Sequence, residues 1–259
     1  GALDGAGALT AHTLSLLGAK GVAPQVIEAV HQLTSSANDR IGKGAACLLF
    51  APDDCGQLES VALAASDLAI RLNETTLIIT PRPDPALVAA MREWMPGSDH
   101  GYHRKTEIVS IGVNADIRGP AGIWVVDAAT LSDDFMIRLT DPSVVTRLGL
   151  IVWWDVHSYT GVLAANIWAI SRRLHRLVQA RGKSGVRALA LVRYASYADA
   201  QLARFVRRLL PYHFPAEAEV YVERSFPRTV HLYRLLGHQR YFEKVGHQSL
   251  PNRCRHVPL

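Results

Sequence analysis

The chain has 259 residues, of which 49% are hydrophobic and 20% charged, values ordinary for a folded soluble protein with one large α/β domain or two small ones. Its formal net charge of +5 permits a nucleic-acid partner without demanding one. Three cysteines, Cys47, Cys55 and Cys254, have no paired spacing, which argues against a disulfide framework and against a zinc site and points to a reducing, cytoplasmic setting.

Taken in chain order, residues 1–20 are small, apolar and rich in Gly and Ala. Val22, Val26, Ile27, Val30 and Leu33 repeat at helical spacing, with Pro24 in the first turn. Ala45–Phe50 is a short apolar run of the kind that forms a buried parallel strand. A loop over Ala51–Gly56 leads into a helix over Leu58–Leu72. Thr75–Thr80 is the next strand, closed by Pro81, Pro83 and Pro85, and a helix over Pro85–Met95 follows.

Strands are predicted over Glu107–Val113 and Gly122–Val126, and a helix over Ala128–Arg138. Leu148–Trp154 is the strongest strand signal. A long helix over Gly161–Arg181, a strand over Arg187–Val192, a helix over Tyr197–Leu210 stopped by Pro211, and a last strand over Glu219–Val222 complete the pattern. Strands alternating with helices imply right-handed crossovers and a doubly wound, mostly parallel α/β sheet flanked by helices. Ligands of such sheets bind at the carboxyl ends of the strands, where the loops at Ala51, Pro81, Asp127, Asp155 and Tyr194 would gather. Residues 1–21 and 223–259 read as extensions of a domain spanning 22–222. No apolar run approaches the roughly 20 residues that span a bilayer. No basic segment followed by an apolar one marks a signal peptide.

The order of motifs resembles the first RecA-like domain of superfamily 2 DEAD/DEAH-type helicases, a P-loop NTPase fold. Leu150–Gly161 is similar to the family's magnesium strand and the segment after it, and an Arg-rich helix follows (Arg172, Arg173, Arg176). Pro24-Gln25 resembles the motif preceding the phosphate loop, and Ala51–Glu59 resembles that loop itself. Thr80-Pro81-Arg82 and Val126–Leu131 stand where two motifs touch the nucleic-acid backbone. Arg193-Tyr194-Ala195-Ser196 stands where the family's Ser-Ala-Thr motif couples hydrolysis to strand movement. The resemblance covers roughly residues 22–210.

The departures from that pattern are chemical. A phosphate loop needs glycines whose N–H groups wrap the phosphates, a lysine for the β- and γ-phosphates and Ser/Thr for magnesium. Here Pro52 and Gly56 survive, Asp53 and Asp54 add negative charge, Gln57 stands at the lysine position and Leu58 at the hydroxyl position. Two carboxylates within ~5 Å of a triphosphate oppose its binding by something on the order of a few kcal/mol, even at an effective dielectric of about 20. In the second motif, Trp154 replaces the magnesium-holding carboxylate, and Asp155 replaces a longer Glu that positions the attacking water. Phosphoryl transfer is almost wholly positioning and electrostatics, so these residues predict a domain that does not hydrolyse ATP and has no resident cofactor.

Bland readings stand beside these. Gly56-Gln57 can be a surface turn, a retained nucleotide pocket or a site for another anion. Asp155 and His157 can be a hydrogen-bonded polar pair at a strand end. Trp153 and Trp154 must face opposite sides of the sheet, one of them core and the other filling the vacated phosphate and metal cavity. Arg172, Arg173 and Arg176, with Arg181, Arg187, Arg204, Arg207 and Arg208, can be solvated helix faces or contacts to a nucleic-acid backbone. His100 and His103 are read as loop residues.

Three functions are compatible with this: an inactive helicase-like subunit that binds nucleic acid, most simply DNA without sequence preference, or a protein complex; an ATP- and magnesium-dependent fragment completed by another domain or chain; or a different α/β enzyme. A membrane partner is not expected.

Overall fold

The structure, a computed structural model, describes residues 14, 15, 17, 18, 21–35, 46–52, 55–94, 106–112, 117, 122–180, 185–193 and 199–224. Helix α1 (Pro24–Ser35) precedes strand β1 (Ala46–Phe50), helix α2 (Gln57–Leu72), strand β2 (Thr75–Thr80) and helix α3 (Pro85–Trp94). Strands β3 (Glu107–Ser110) and β4 (Gly122–Asp127) follow, then the short helices α4 (Ala128–Thr130), α5 (Met136–Arg138) and α6 (Pro142–Val145). Strand β5 (Leu148–Trp153), helix α7 (Gly161–Ala180), strand β6 (Arg187–Val192), helix α8 (Asp199–Leu209) and strand β7 (Glu219–Val222) complete it.

The seven strands form one sheet in the order β3-β4-β2-β5-β6-β1-β7, with every pairing parallel. The sequence reason is direct: β2, β5 and β6 are buried at all their positions, so neither face of these strands needs a polar residue. One face packs a cluster from α1, α2 and α3, including Val26, Val30, Leu63, Leu68 and Met91. The other packs residues from α7, α8 and the segment after β4, including Phe135, Ile167, Leu174 and Val206. Among the described residues no helix is long and apolar enough to cross a membrane.

After β1 the chain crosses to β2, and it later returns to insert β5 and β6 between them. The carboxyl ends of β1, β6 and β5 therefore lie side by side, at the reversal in strand order where doubly wound sheets make their crevice. The register fixes the neighbours: Phe50 pairs with Val192, and Trp153 with Ala190. Residues just beyond these strands leave the sheet together.

Several predicted boundaries shift. The first helix begins at Pro24 rather than Val22, because proline is suited to a first helical position. The predicted Ala128–Arg138 helix is three pieces, with a π-helical segment over Leu131–Phe135 between α4 and α5. Asp127 starts it, its carboxylate accepting from the Ala129 and Thr130 N–H groups at 3.0 and 3.1 Å. β3 ends at Ser110, although the Ile111 N–H still donates to Val125 O at 2.8 Å. β5 ends at Trp153. The expectations for residues 1–13, His100, His103, Val113, Arg181, Tyr197 and 225–259 lie outside the described residues.

Close strand approach makes Gly122 indispensable. A Cβ there would sit 2.2 Å from the Glu107 carbonyl oxygen, a backbone atom that cannot swing aside. Gly112→Ala is the control, with nothing within 4 Å of its added carbon. We expect Gly122→Ala to lower the unfolding free energy by about 1–3 kcal/mol and Gly112→Ala to change it little, as read from urea midpoints.

Candidate functional site

The loop after β1 is held by its own side chains. Gly56 has φ 92° and ψ 21°, a left-handed conformation that suits glycine. An added Cβ would also lie 2.7 Å from Val22 Cγ2. Val22 and Ala23 cover the loop from the α1 side, and the Ala23 N–H donates to Cys55 O at 3.0 Å. Gln57 opens α2 and is only 5% exposed. Its Nε2 turns back and donates to Ala51 O at 3.2 Å and Pro52 O at 2.5 Å. The surface-turn reading of Gly56-Gln57 is therefore corrected: both residues are buried, because the amide finds its acceptors inside the loop. Leu58 is half-buried on α2. Asp53 and Asp54 lie outside the described residues.

At the end of β5, Trp154 continues the ladder, its N–H donating to Ile79 O at 2.8 Å. Trp153 is fully buried with the cluster on the α7 and α8 face, and Trp154, 4% exposed, belongs to the cluster on the other face with Cys55 and Val61. Both tryptophans are core, on opposite sides as the period of the strand requires.

Asp155 takes φ 54°, a left-handed backbone that Asp tolerates better than most side chains. Its carboxylate is bound in bidentate fashion by Arg193 Nε and Nη2. Arg193 directly follows β6, so the two partners come from adjacent strand ends. The expected pairing of Asp155 with His157 is corrected: Asp155 pairs with Arg193, and His157 Nδ1, on the turn over Val156–Ser158, has no hydrogen-bond partner among the described residues. The turn is pinned instead by Ser158 N–H on Asp155 O at 2.8 Å. Tyr159 is fully buried and donates its hydroxyl to Ile79 O at 3.0 Å. Burial, then the nearby Asp155 charge, keep this phenol protonated well above its usual range.

On the far side of β5, Thr80 is 1% exposed, and its hydroxyl donates to Arg82 O at 2.8 Å. Pro81 is half-buried and Arg82 exposed. Of this loop, the Arg82 side chain is therefore the one that faces solvent. Gln25 carries an exposed side chain, while its N–H donates to Glu223 Oε2 at 3.3 Å. Arg173 and Arg176 are exposed on α7, and Arg172 is half-buried beside them. Since α7 starts at the carboxyl end of β5 and must run back to begin β6, these three lie roughly 16–22 Å down the helix, at 1.5 Å per residue, from the sheet edge. The fold thus gathers Pro52, Gly56, Gln57, Trp154, Asp155 and His157, places Thr80–Arg82 at the next strand end, and sets the α7 arginines apart.

Arg193 enters the sequence reading as the first residue of the segment at the Ser-Ala-Thr position, whose other residues lie outside the described ones, and Tyr159 only within Leu150–Gly161; their bonds to Asp155 and Ile79 were not foreseen. The signal for Arg193 was its position directly after β6, beside a strand that ends in an acid.

No family model matches the chain, and no curated protein does. Solved structures do match in fold. The crystal structure of the DUF1998 helicase MrfA superposes with a TM-score of 0.63 at 16% identity, over 91% of this chain and 36% of that one. The same helicase bound to DNA gives 0.61 at 14% identity, over 84% and 28%. A DEAD box protein from the hyperthermophile Methanococcus jannaschii gives 0.51 at 10% identity, over 80% and 52%. The chain thus spans about a third of the length of the helicase MrfA. What the likeness establishes is architecture: this chain has the fold of a RecA-like helicase domain.

Proposed function

We propose that this chain is a helicase-like domain that does not hydrolyse ATP and that serves as a nucleic-acid-binding or scaffolding subunit of a larger bacterial DNA-processing or defence complex. The observation that carries the reading is the inward-turned Gln57 side chain, which occupies the interior of the loop where a lysine would reach for phosphate. A carboxamide there can donate a hydrogen bond but cannot neutralise a triphosphate. Trp154 places an indole where the resemblance puts the magnesium carboxylate, and Leu58 an isobutyl group where it puts the hydroxyl. Asp155, the remaining acid, is already neutralised by Arg193. These residues do not fit magnesium and ATP.

A DNA partner is supported by the fold shared with MrfA, whose structure is known bound to DNA. The surfaces proposed for it are the Thr80-Pro81-Arg82 loop and Arg172, Arg173 and Arg176, through sequence-independent phosphate contacts. The competing reading, an ATPase completed by another domain or chain, draws on the short span of this chain against its structural neighbours. Calorimetric titration separates the two. We expect no binding of magnesium-ATP at millimolar concentration and no hydrolysis with or without DNA; tight binding or DNA-stimulated turnover contradicts the proposal.

The lock at Asp155 has an energetic signature. Its side chain is 9% exposed against 43% for Arg193, so removing the arginine strands a largely buried carboxylate. A hydrogen-bonded charge of this exposure contributes about 1–3 kcal/mol. We expect Arg193→Ala to cost that much and Asp155→Asn to cost less. The two should couple by at least about 0.5 kcal/mol in a double-mutant cycle read from urea unfolding. Additive effects would show that the pair carries no stability.

A further inference from the structure

An aromatic ledge lies on the outer side of α7, away from the sheet edge just described. Trp168 is 39% exposed and Tyr212, in the turn after α8, is 37% exposed. Their ring centroids are 6.5 Å apart, and Tyr212 also lies 5.5 Å from the His175 ring. The Arg172 guanidinium stands 5.7 Å over the Trp168 ring. Trp168, Arg172 and Arg176 follow one another at four-residue intervals, which places them on one stripe of the helix.

The helix that carries Trp168 bears charge of one sign. Helix α7 holds Arg172, Arg173 and Arg176 and no Asp or Glu in its 20 residues. Among the described residues, no hydrogen bond or ion pair engages the guanidinium groups of Arg173 or Arg176. Helix α8 packs beside α7 and adds exposed Arg204 and Arg208.

Exposed rings set on and beside a helix that carries arginines and no acid match one ligand chemistry. Unpaired bases stack on aromatic faces while their phosphates meet the arginines. A duplex offers phosphates but keeps its bases stacked inside. An acidic peptide engages the arginines but has no use for the rings. We infer that the α7 ledge of Trp168, Tyr212 and His175, flanked by Arg172, Arg173 and Arg176, is a binding surface for single-stranded nucleic acid. The inference rests on the nucleic-acid reading above and deepens it, naming the form of the ligand and a second surface apart from the strand ends.

Fluorescence anisotropy with a labelled oligothymidylate tests it on the whole chain, with a duplex of equal length and polyglutamate as comparisons. Each of Trp168→Ala and Tyr212→Ala is expected to weaken oligothymidylate binding about tenfold, the loss of one stacked base, while Trp168→Phe retains most of it. Replacing Arg172, Arg173 and Arg176 together by Ala should flatten the salt dependence. Duplex binding should be weaker and indifferent to Trp168→Ala. If the wild type binds the oligonucleotide but both ring variants bind it equally well, the ledge is refuted while the nucleic-acid reading stands. If neither nucleic acid binds at all, both fall. Polyglutamate binding that matches the oligonucleotide and ignores Trp168→Ala overturns the ledge in favour of an acidic protein partner.

Discussion

A carboxylate buried at the end of a central strand needs a compensating cation, and the organisation of this site follows from where that cation comes from. Asp155 sits in a left-handed turn at the carboxyl end of β5, with little access to solvent. In a nucleotide-hydrolysing relative of this fold, charge at that edge would be balanced by ligands. Here the balance is internal: Arg193, from the adjacent end of β6, binds both carboxylate oxygens. The same economy operates one strand further on, where Gln57 satisfies the carbonyls of Ala51 and Pro52. The Asp155 carboxylate and the Gln57 amide are thus both paired within the protein, as burial of polar groups requires.

The surrounding architecture keeps these pairs in place. Val22 and Ala23 close over the loop after β1, and Gly56 is the residue type that fits both its backbone angles and the space beneath Val22. Trp154 and Tyr159 fill the β5 end, one in the core cluster and one hydrogen-bonded to β2. The edge is consequently dense and apolar between two internal polar contacts. Exposed arginines line α7 and α8, while Arg193 and Arg82 are exposed at the strand ends themselves. The fold thus sets the arginines of α7 apart from the strand-end edge.

The parallel sheet was legible in the sequence because its central strands are apolar on both faces. Runs such as Leu77-Ile78-Ile79 and Leu150-Ile151-Val152 have no other comfortable place. The π-helical segment at Leu131–Phe135 was not legible: Leu131, Phe135 and Met136 keep a spacing that an uninterrupted helix would also satisfy. Within the site, Gln57, Leu58, Trp154 and Asp155 could be read one by one against the resemblance. Their new partners were not. Asp155 and Arg193 are 38 positions apart, and the sheet order brings them together. Gln57 beside a glycine reads as a turn until the loop's free carbonyls are in view. Thr80 likewise looked available for a backbone contact, yet its hydroxyl is used within its own turn.

The account stands or falls on whether the Gln57 side chain holds the loop against nucleotide. The most direct measurement is the NMR signal of its side-chain amide as magnesium-ATP is added to millimolar concentration. The account predicts an amide slow to exchange with solvent, with shifts unchanged by nucleotide. An amide that exchanges freely, or that moves in saturable fashion as the loop opens to phosphate, would contradict it.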